Sequence, residues 1–181
     1  MIPRRIVTNI NAGGKAIFQS DGVPPWSKEM VHTPGFASSF VWATASVPNI
    51  PASADDPTDT ATSIVPKPGE TRFLIVTFPP DSVFTDPRMD FAMANQEQAE
   101  ESPGLVELFE SDHPGMHTTP TVDYGIVLDG EIWLELDDGK TIHLKEHDVV
   151  VQNGTRHAWR NKGGKPTTMA FMLIGAAATK K

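Results

Sequence analysis

Residues 131–144 read Glu-Ile-Trp-Leu-Glu-Leu-Asp-Asp-Gly-Lys-Thr-Ile-His-Leu. In this stretch Ile132, Leu134 and Leu136 alternate with other residues, which predicts a β-strand that buries one of its faces. The dipeptide Asp138-Gly139 that follows is a strong signal for a tight hairpin turn, because glycine accepts the positive φ that such turns require. The stretch therefore predicts two antiparallel strands joined by a short turn.

Other short segments predict further strands, because they are rich in β-branched and aromatic residues. One of them is stopped by Pro79 and Pro80, which have no backbone N–H to donate. Regularly spaced short strands separated by turn signals favour a sandwich or a barrel, so we predict an all-β fold. The segments are residues 6–10 paired with 15–20 around an Asn-Ala-Gly-Gly turn, and residues 40–44, 72–78, 149–151 and 168–174.

Two segments depart from this strand pattern. Residues 48–69 have no hydrophobic period and predict a long loop, either a plain surface loop or a mobile or functional one such as a lid. Residues 87–110 predict one or two short helices, with Ser102-Pro103 as a start signal for the second. We expect the methionine and phenylalanine side chains of this region to pack on the sheet.

Composition excludes several classes of function. The chain has 15 Lys plus Arg against 23 Asp plus Glu, a formal charge of −8, and no basic cluster that would bind nucleic acid. Cysteine is absent, which excludes disulfides, zinc-thiolate sites and cysteine nucleophiles and leaves histidine and carboxylates as the strong metal ligands. Neither a signal-peptide core nor a membrane-spanning apolar run is found, so we expect a cytoplasmic protein with no membrane partner.

The C-terminal half resembles the cupin superfamily over two stretches, residues 115–131 and 148–161. The first cupin motif is His-x-His, three or four residues, Glu, six residues, Gly. The second is Pro-x-Gly, two residues, His, three residues, Asn. The first motif matches His117, Thr119, Asp123 and Gly130 in that order, and the second matches Gln152, Gly154, His157 and Asn161.

This resemblance implies a double-stranded β-helix barrel with an internal pocket, often in a homodimer. We expect residues 70–176 to form the barrel, with the helical region at 87–110 as an insertion. Residues 1–69 would be an N-terminal β extension and loop packed on the barrel, and residues 177–181 a tail. In many cupins the pocket holds a divalent metal ion through three histidines and one glutamate.

The metal motif of this chain is incomplete, because Thr119 replaces one histidine and Asp123 replaces the glutamate. The remaining His117, Asp123 and His157 have the composition of a two-histidine, one-carboxylate triad, which suits Fe(II) and which a catalytic zinc ion could also use. We therefore expect a divalent metal (Fe, Zn, Mn or Ni) and no organic cofactor. An unbroken strand would place His117 about 20 Å from Asp123, so the site requires the strand to break at Pro120.

Four further residues are candidates for substrate contact, namely Thr119, Tyr124, Gln152 and Trp159. Aromatic walls are usual in small-molecule sites, although core packing is the commoner role for residues such as Tyr124 and Trp159, and Gln152 could equally end a strand. His147 stands where similar sequences usually have glycine before the aspartate, which predicts an unstrained turn.

Three functions follow from these residues. The first is a metal-dependent enzyme acting on a small molecule, of lyase, dehydratase, decarboxylase or oxygenase type, with His117, Asp123 and His157 as ligands. The second is a metal-free isomerase or lyase in which a pocket histidine is the general base and Asp123 orients its ring. The third is a non-catalytic barrel that binds a small molecule. Of the three, the residues favour the first.

Overall fold

The computed structural model describes residues 1–177, so most of the predicted tail lies outside the described residues. Nearly all regular structure is β-strand, which confirms the all-β prediction. Short 3-10 turns lie at Asp81–Thr85, Val106–Leu108 and Asp137–Gly139. The longer elements are β1 (Arg5–Ile10), β2 (Ala16–Gly22), β3 (Ser27–Glu29), β4 (Ala37–Thr44), β5 (Thr71–Phe78), α1 (Phe91–Glu101), β6 (Thr121–Asp129), β7 (Glu131–Glu135), β8 (Thr141–Lys145), β9 (Val149–Asn153), β10 (Ala158–Arg160) and β11 (Thr167–Gly175).

The strands form three antiparallel sheets. The largest has the order β3-β4-β5-β11-β6-β9, a second has the order β10-β7-β8, and β1 pairs with β2 in a separate ribbon. The two larger sheets bury their apolar faces against each other, since Ile132 and Leu134 of the smaller sheet join Phe40, Val127 and Met169 of the larger one in a single core. Removal of apolar surface from contact with water in this core is the main force that holds the two sheets together.

The predicted hairpin at residues 131–144 is confirmed as β7 and β8. Ile132 and Leu134 are buried, while Leu136 lies beyond the end of β7 and is partly exposed. Asp138 and Gly139 both have positive φ, 60° and 66°, as a tight turn of this kind requires. The predicted N-terminal hairpin and the strands predicted at 40–44 and 72–78 are also present.

The long loop predicted between residues 48 and 69 carries no strand or helix, and it is packed against the rest of the molecule. Ile64 is buried in the core, and its N–H donates to the carbonyl of Pro103 at 3.0 Å. Arg5 of β1 donates to the carboxylate of Asp56, which joins the loop to the N-terminal ribbon. These contacts make the loop a structural part of the molecule.

Helix α1 begins one turn after the start of the predicted helical region. Its N-cap is Asp90, whose side chain accepts from the N–H groups of Ala92 and Met93, both at 3.1 Å. The start signal predicted at Ser102-Pro103 is wrong. Ser102 ends the helix, because its N–H donates to the carbonyl of Gln98 and only a 3-10 turn follows at Val106–Leu108.

The face that α1 buries also differs from the prediction. Phe91 and Met93 are exposed, at 51% and 40%, and the buried residues are Ala94 and Glu97. The Glu97 carboxylate accepts from the N–H groups of Val31 and His32, at 2.9 and 2.8 Å. A polar anchor therefore sets the orientation of this helix, and apolar spacing alone does not reveal such an anchor.

The division between a barrel and an N-terminal extension stays a prediction. Strands β3 and β4 belong to the same sheet as β5, β11, β6 and β9, so residues 27–44 continue the main sheet. Of the strands within residues 1–69, only β1 and β2 lie outside that sheet, in a ribbon of their own. Within residues 1–177, none of the helices has the length and apolar character needed to cross a membrane.

Candidate functional site

Two buried histidines lie side by side at one end of the barrel interior. The N–H groups of His117 and His157 each donate to the other residue's carbonyl at 2.9 Å, which forms an isolated antiparallel bridge. Their ring centroids are 4.3 Å apart, and the residues are 8% and 3% exposed. The spacing of the two rings is therefore set by main-chain hydrogen bonds.

Backbone carbonyls also hold both rings. Nδ1 of His117 lies 3.1 Å from the carbonyl of Gly115, and Nδ1 of His157 lies 2.9 Å from the carbonyl of Thr155. A carbonyl only accepts, so each Nδ1 carries the proton, and a neutral ring then has its lone pair on Nε2. Within residues 1–177, neither Nε2 atom makes a hydrogen bond to protein.

Burial keeps these imidazoles neutral. It lowers the pKa of His117, although the hydrogen bond to Gly115 acts in the opposite direction. Burial lowers the pKa of His157 to about 4, and the neighbouring ring of His117 adds to that effect. At neutral pH the pair therefore presents two uncharged nitrogen donors.

Asp123 lies on β6 with its side chain turned into the barrel and only 7% exposed. Its Oδ1 is buried and has no hydrogen-bond partner in the described structure. Burial raises the pKa of this carboxyl group to about 6, against a smaller lowering by the nearby hydroxyls of Thr121 and Thr119. A buried carboxylate oxygen without a partner is costly and is a common mark of a functional site.

The strand breaks at Pro120, as the sequence predicts. His117 forms its bridge outside the named strands, and β6 begins only at Thr121. Thr119 and Thr121 are both buried, and the hydroxyl of Thr121 donates to that of Thr119 at 2.8 Å. Although the chain here is not one continuous strand, the interior contains four of its side chains, those of His117, Thr119, Thr121 and Asp123.

The break does not close the three candidate ligands into a compact cluster. In residues 1–177, the group that places at least three ligand atoms within 4.8 Å of one another is Glu110, Asp112 and His113, at the surface. Both carboxylate oxygens of Glu110 already accept from Arg156, at 2.6 and 2.7 Å. That surface group is part of an ion-pair network.

Of the predicted substrate-contact residues, Thr119, Gln152 and Trp159 face inward. Gln152 is 5% exposed, and its side-chain amide lies 3.4 Å from the carbonyl of Thr155. The ring of Trp159 lies edge-on to His157, with centroids 5.9 Å apart. The structure does not place Tyr124 in the pocket as predicted, because this residue is 42% exposed. Side chains alternate along β6, and Asp123 occupies the inner face.

Phe109 contacts the histidine pair, and sequence reasoning missed this role. It forms an antiparallel bridge with His117, and its ring lies edge-on to the imidazole with centroids 4.8 Å apart. No motif or spacing marks Phe109 as a site residue, because the contact depends on how residues 102–116 loop back over the barrel. Only its apolar character could have suggested a packing role.

The family of this region follows from a comparison with known proteins. Residues 104–174 match the family model described as a cupin domain. This segment, less than half of the chain, is similar to cupin domains. The match contains both candidate histidines and Asp123. Together with the two stacked antiparallel sheets, it confirms the expected double-stranded β-helix fold. In this protein the two sheets remain separate and do not close into one continuous barrel.

Curated relatives match shorter segments. The chain is 60% identical over 47 residues to Phomopsin biosynthesis cluster protein C' of Diaporthe leptostromiformis, 26% of this chain and 25% of that protein. It is 40% identical over 58 residues to the cupin-domain-containing oxidoreductase virC of Hypocrea virens, 32% of this chain and 30% of that protein. The aligned segments thus span less than a third of each of these two relatives.

A similar solved structure is a cupin superfamily protein from Desulfitobacterium hafniense. It covers 58% of this chain and 67% of its own, with 15% identity and a TM-score of 0.36.

Proposed function

We propose that this protein is a small-molecule enzyme of oxidoreductase type, and that His117, His157 and Asp123 hold a divalent metal ion in its cupin pocket. The observation that carries the proposal is the pair of neutral imidazoles whose Nδ1–H groups are bonded to backbone carbonyls and whose Nε2 atoms are free. Relatives named cupin-domain-containing oxidoreductases support the reaction class.

The donor set fits such an ion. Histidine ligands usually donate their second ring N–H to a carbonyl or carboxylate, which fixes the tautomer and the direction of the metal-binding nitrogen. His117 and His157 already have this arrangement. The unpartnered Oδ1 of Asp123 would supply the carboxylate, and the amide oxygen of Gln152, opposite it on β9, is a candidate fourth ligand.

Binding requires Asp123 to move. Its carboxylate and the two imidazoles do not lie within 4.8 Å of one another in the described structure, so its side chain must rotate toward the rings. We expect the two histidines to form the preorganised half of the site and Asp123 to complete it.

When bound, a divalent ion would supply Lewis-acid polarisation of a substrate oxygen. The protein's own residues would orient the substrate and exclude water. Trp159 and Phe109 stand on either side of the imidazole pair as apolar walls, and both contact its rings edge-on. The buried hydroxyl of Thr119 and the amide of Gln152 are the polar groups on the inner face that would fix substrate orientation.

A metal-free isomerase or lyase is the second candidate, and the raised pKa of Asp123 favours it. A carboxyl group with a pKa of about 6 suits proton transfer near neutral pH. Asp123 does not have the ring-orienting role that the sequence suggested, because the carbonyls of Gly115 and Thr155 hold the two rings. In this mechanism Asp123 would itself be the general base.

Elemental analysis of protein purified without added metal, followed by titration of the metal-free protein with Fe(II), Zn(II), Mn(II) and Ni(II), tests the first proposal. We expect about one equivalent of bound ion per chain, lost in His157→Ala and in His117→Ala. The control is His147→Ala, since the side chain of His147 is 84% exposed and lies outside the site. Wild-type protein that binds none of the four metals would contradict the proposal.

The reaction class has a separate test. Protein that binds metal and, when loaded, consumes an oxidant or reductant together with a small organic substrate would support an oxidoreductase. Turnover without metal that is abolished by Asp123→Asn would favour the second candidate. Binding without turnover would indicate the non-catalytic alternative.

We also propose that residues 70–176 act as the barrel unit, with residues 1–69 packed on it, and that the protein forms a homodimer. The exposed apolar side chains of Val149 and Val151 on the edge strand β9 support a contact between copies. Sedimentation at several protein concentrations tests the dimer.

A further inference from the structure

A short segment crosses the end of the barrel beside the two histidines. We call residues 105–110 the strap. Phe109 of the strap bridges His117, and His117 bridges His157, so these three residues lie side by side in a small three-stranded ladder. The N–H of Glu110 donates to the carbonyl of Met116 at 2.9 Å, which extends the ladder.

Side-chain alternation divides this ladder into two faces. Residues directly opposite each other in a ladder point to the same side, and their chain neighbours point to the other side. The rings of Phe109, His117 and His157 accordingly share the inner face, where they are in contact. Glu110 and Arg156 are the chain neighbours, and they meet on the outer face.

The outer face holds a charge-assisted hydrogen-bond cluster. Nε and Nη2 of Arg156 donate to the two carboxylate oxygens of Glu110, at 2.6 and 2.7 Å. Nη1 of the same guanidinium donates to Asp137 at 2.9 Å. Arg156 is adjacent in sequence to His157, so this bidentate pair joins the strap to the segment that carries a candidate site histidine. We call the Arg156–Glu110 pair the latch.

We propose that Phe109 is a specificity-determining residue that covers the histidine pair, and that Arg156 and Glu110 are positioning residues that hold it there. The role in specificity rests on the proposed function, because it takes the histidine pair as the place where substrate reacts. The ladder and the latch together orient the strap: the ladder sets the register of Phe109 against His117, and the bidentate fork opposes lifting of the strap.

The test measures access to the histidine rings in the metal-free protein. Diethyl pyrocarbonate acylates the free nitrogen of a neutral imidazole, and peptide mass spectrometry gives a separate rate for each histidine. The exposed His147 is the internal reference. In Glu110→Gln we expect the rates at His117 and His157, relative to His147, to rise about fivefold, the size of effect expected when a partly exposed ion pair is lost.

Matched variants separate the latch from general loss of stability. Glu70→Gln is the control, because Glu70 also accepts from an arginine, Arg72, and is similarly exposed, 26% against 30% for Glu110. It should leave both rates unchanged. Glu110→Gln, Arg156→Gln and the double variant form a cycle in which the double variant should match Arg156→Gln, since that substitution already removes the pair with Glu110 together with the bond to Asp137.

Phe109→Ala and Phe109→Leu test the wall itself. We expect the alanine variant to increase the acylation rates at both histidines and the leucine variant to restore most of the protection, because leucine refills much of the space. Unchanged rates in Phe109→Ala and Glu110→Gln, with the fold intact by circular dichroism, would overturn the proposal. The experiment uses no metal and no turnover, so it can fail while the metal site stands, and the reverse.

Discussion

Asp123 on β6 and Gln152 on β9 stand directly opposite each other in the antiparallel register, and both side chains are more than nine-tenths buried. The carboxylate Oδ1 of Asp123 nevertheless has no hydrogen-bond partner in residues 1–177. A buried charged group in this state lowers the stability of the protein that carries it. The barrel thus retains a destabilising residue on its inner face, as functional sites often do.

Asp123→Asn should therefore stabilise the metal-free protein. The substitution removes a buried charge with little change in side-chain volume, and we expect a gain of about 1–3 kcal/mol in the free energy of unfolding. Urea denaturation at pH 7 measures it. Asp129→Asn on the exposed end of the same strand is the control and should change stability little. A loss of stability in Asp123→Asn would show that the carboxylate is well satisfied.

Glu97→Ala should destabilise the fold although the residue lies on a surface helix. The carboxylate of Glu97 accepts from the N–H groups of Val31 and His32 and lies 3.4 Å from Lys28. Without it, two backbone donors lose their partners, and we expect a cost of about 2 kcal/mol. Glu100→Ala, at an exposed position of the same helix, is the control. Equal effects of the two substitutions in chemical denaturation would contradict this account of the anchor.

Glu97 should also contribute to acid sensitivity. Burial tends to raise the pKa of Glu97, but the hydrogen bonds from Val31 and His32 and the contact with Lys28 lower it below its usual value. A carboxyl group whose pKa is lower in the folded state contributes stability above its unfolded pKa, and that stability is lost as pH falls through the folded pKa. As the pH falls through the usual carboxyl titration range, about pH 5 to 3, Glu97→Gln should therefore lose less stability than wild type. Parallel losses would exclude this role.

His147→Gly should stabilise the turn before β9. The sequence predicted an unstrained turn here, but His147 has a φ of 72°, in the left-handed region that disfavours a side chain with a Cβ atom. Glycine removes this strain at some entropic cost, and we expect a net gain of about 0.5–1 kcal/mol. His147→Ala keeps the Cβ atom and is the matched control. Thermal unfolding in which alanine equals glycine would contradict the strain.

Gly175→Ala should destabilise the junction between β11 and the loop that precedes β5. A Cβ atom at Gly175 would overlap the carbonyl of Lys67, which belongs to the backbone and has little freedom to move. We expect a loss of about 2–3 kcal/mol. Gly164→Ala is the control, since nothing lies within 4 Å of its added Cβ atom. If the two variants unfold at the same denaturant concentration, the loop is freer than the structure indicates.

Strands with a clear alternation were predictable from sequence, and the helix was predictable only in part. The hairpin of β7 and β8 follows from Ile132, Leu134 and the Asp-Gly turn, all of which act locally. The buried face of α1 depends on Glu97 reaching the backbone near residue 31, a contact between distant parts of the chain. A polar anchor of this kind leaves no apolar period to read.

The site was predictable to a similar extent. Motif spacing selected His117, His157 and Asp123 as candidates, and all three are buried; Pro120 indicated the strand break. The carbonyls that hold the rings and the ring of Phe109 could not be found, since neither a carbonyl nor a lone phenylalanine has a sequence signature. Tyr124 was misplaced because it lies one residue from Asp123, and a shift of one residue along a strand reverses the face.

Main-chain groups hold the two candidate site histidines in place. Each residue exchanges backbone hydrogen bonds with the other, and each ring is hydrogen-bonded to the carbonyl two residues before it. Those main-chain partners remain whichever side chain occupies positions 117 and 157. Architecture and reactivity are therefore separable in this barrel. Under the proposed function, few substitutions would suffice to redirect or silence the chemistry while the polypeptide keeps its form, which makes the pocket an accessible starting point for evolving or engineering a new reaction.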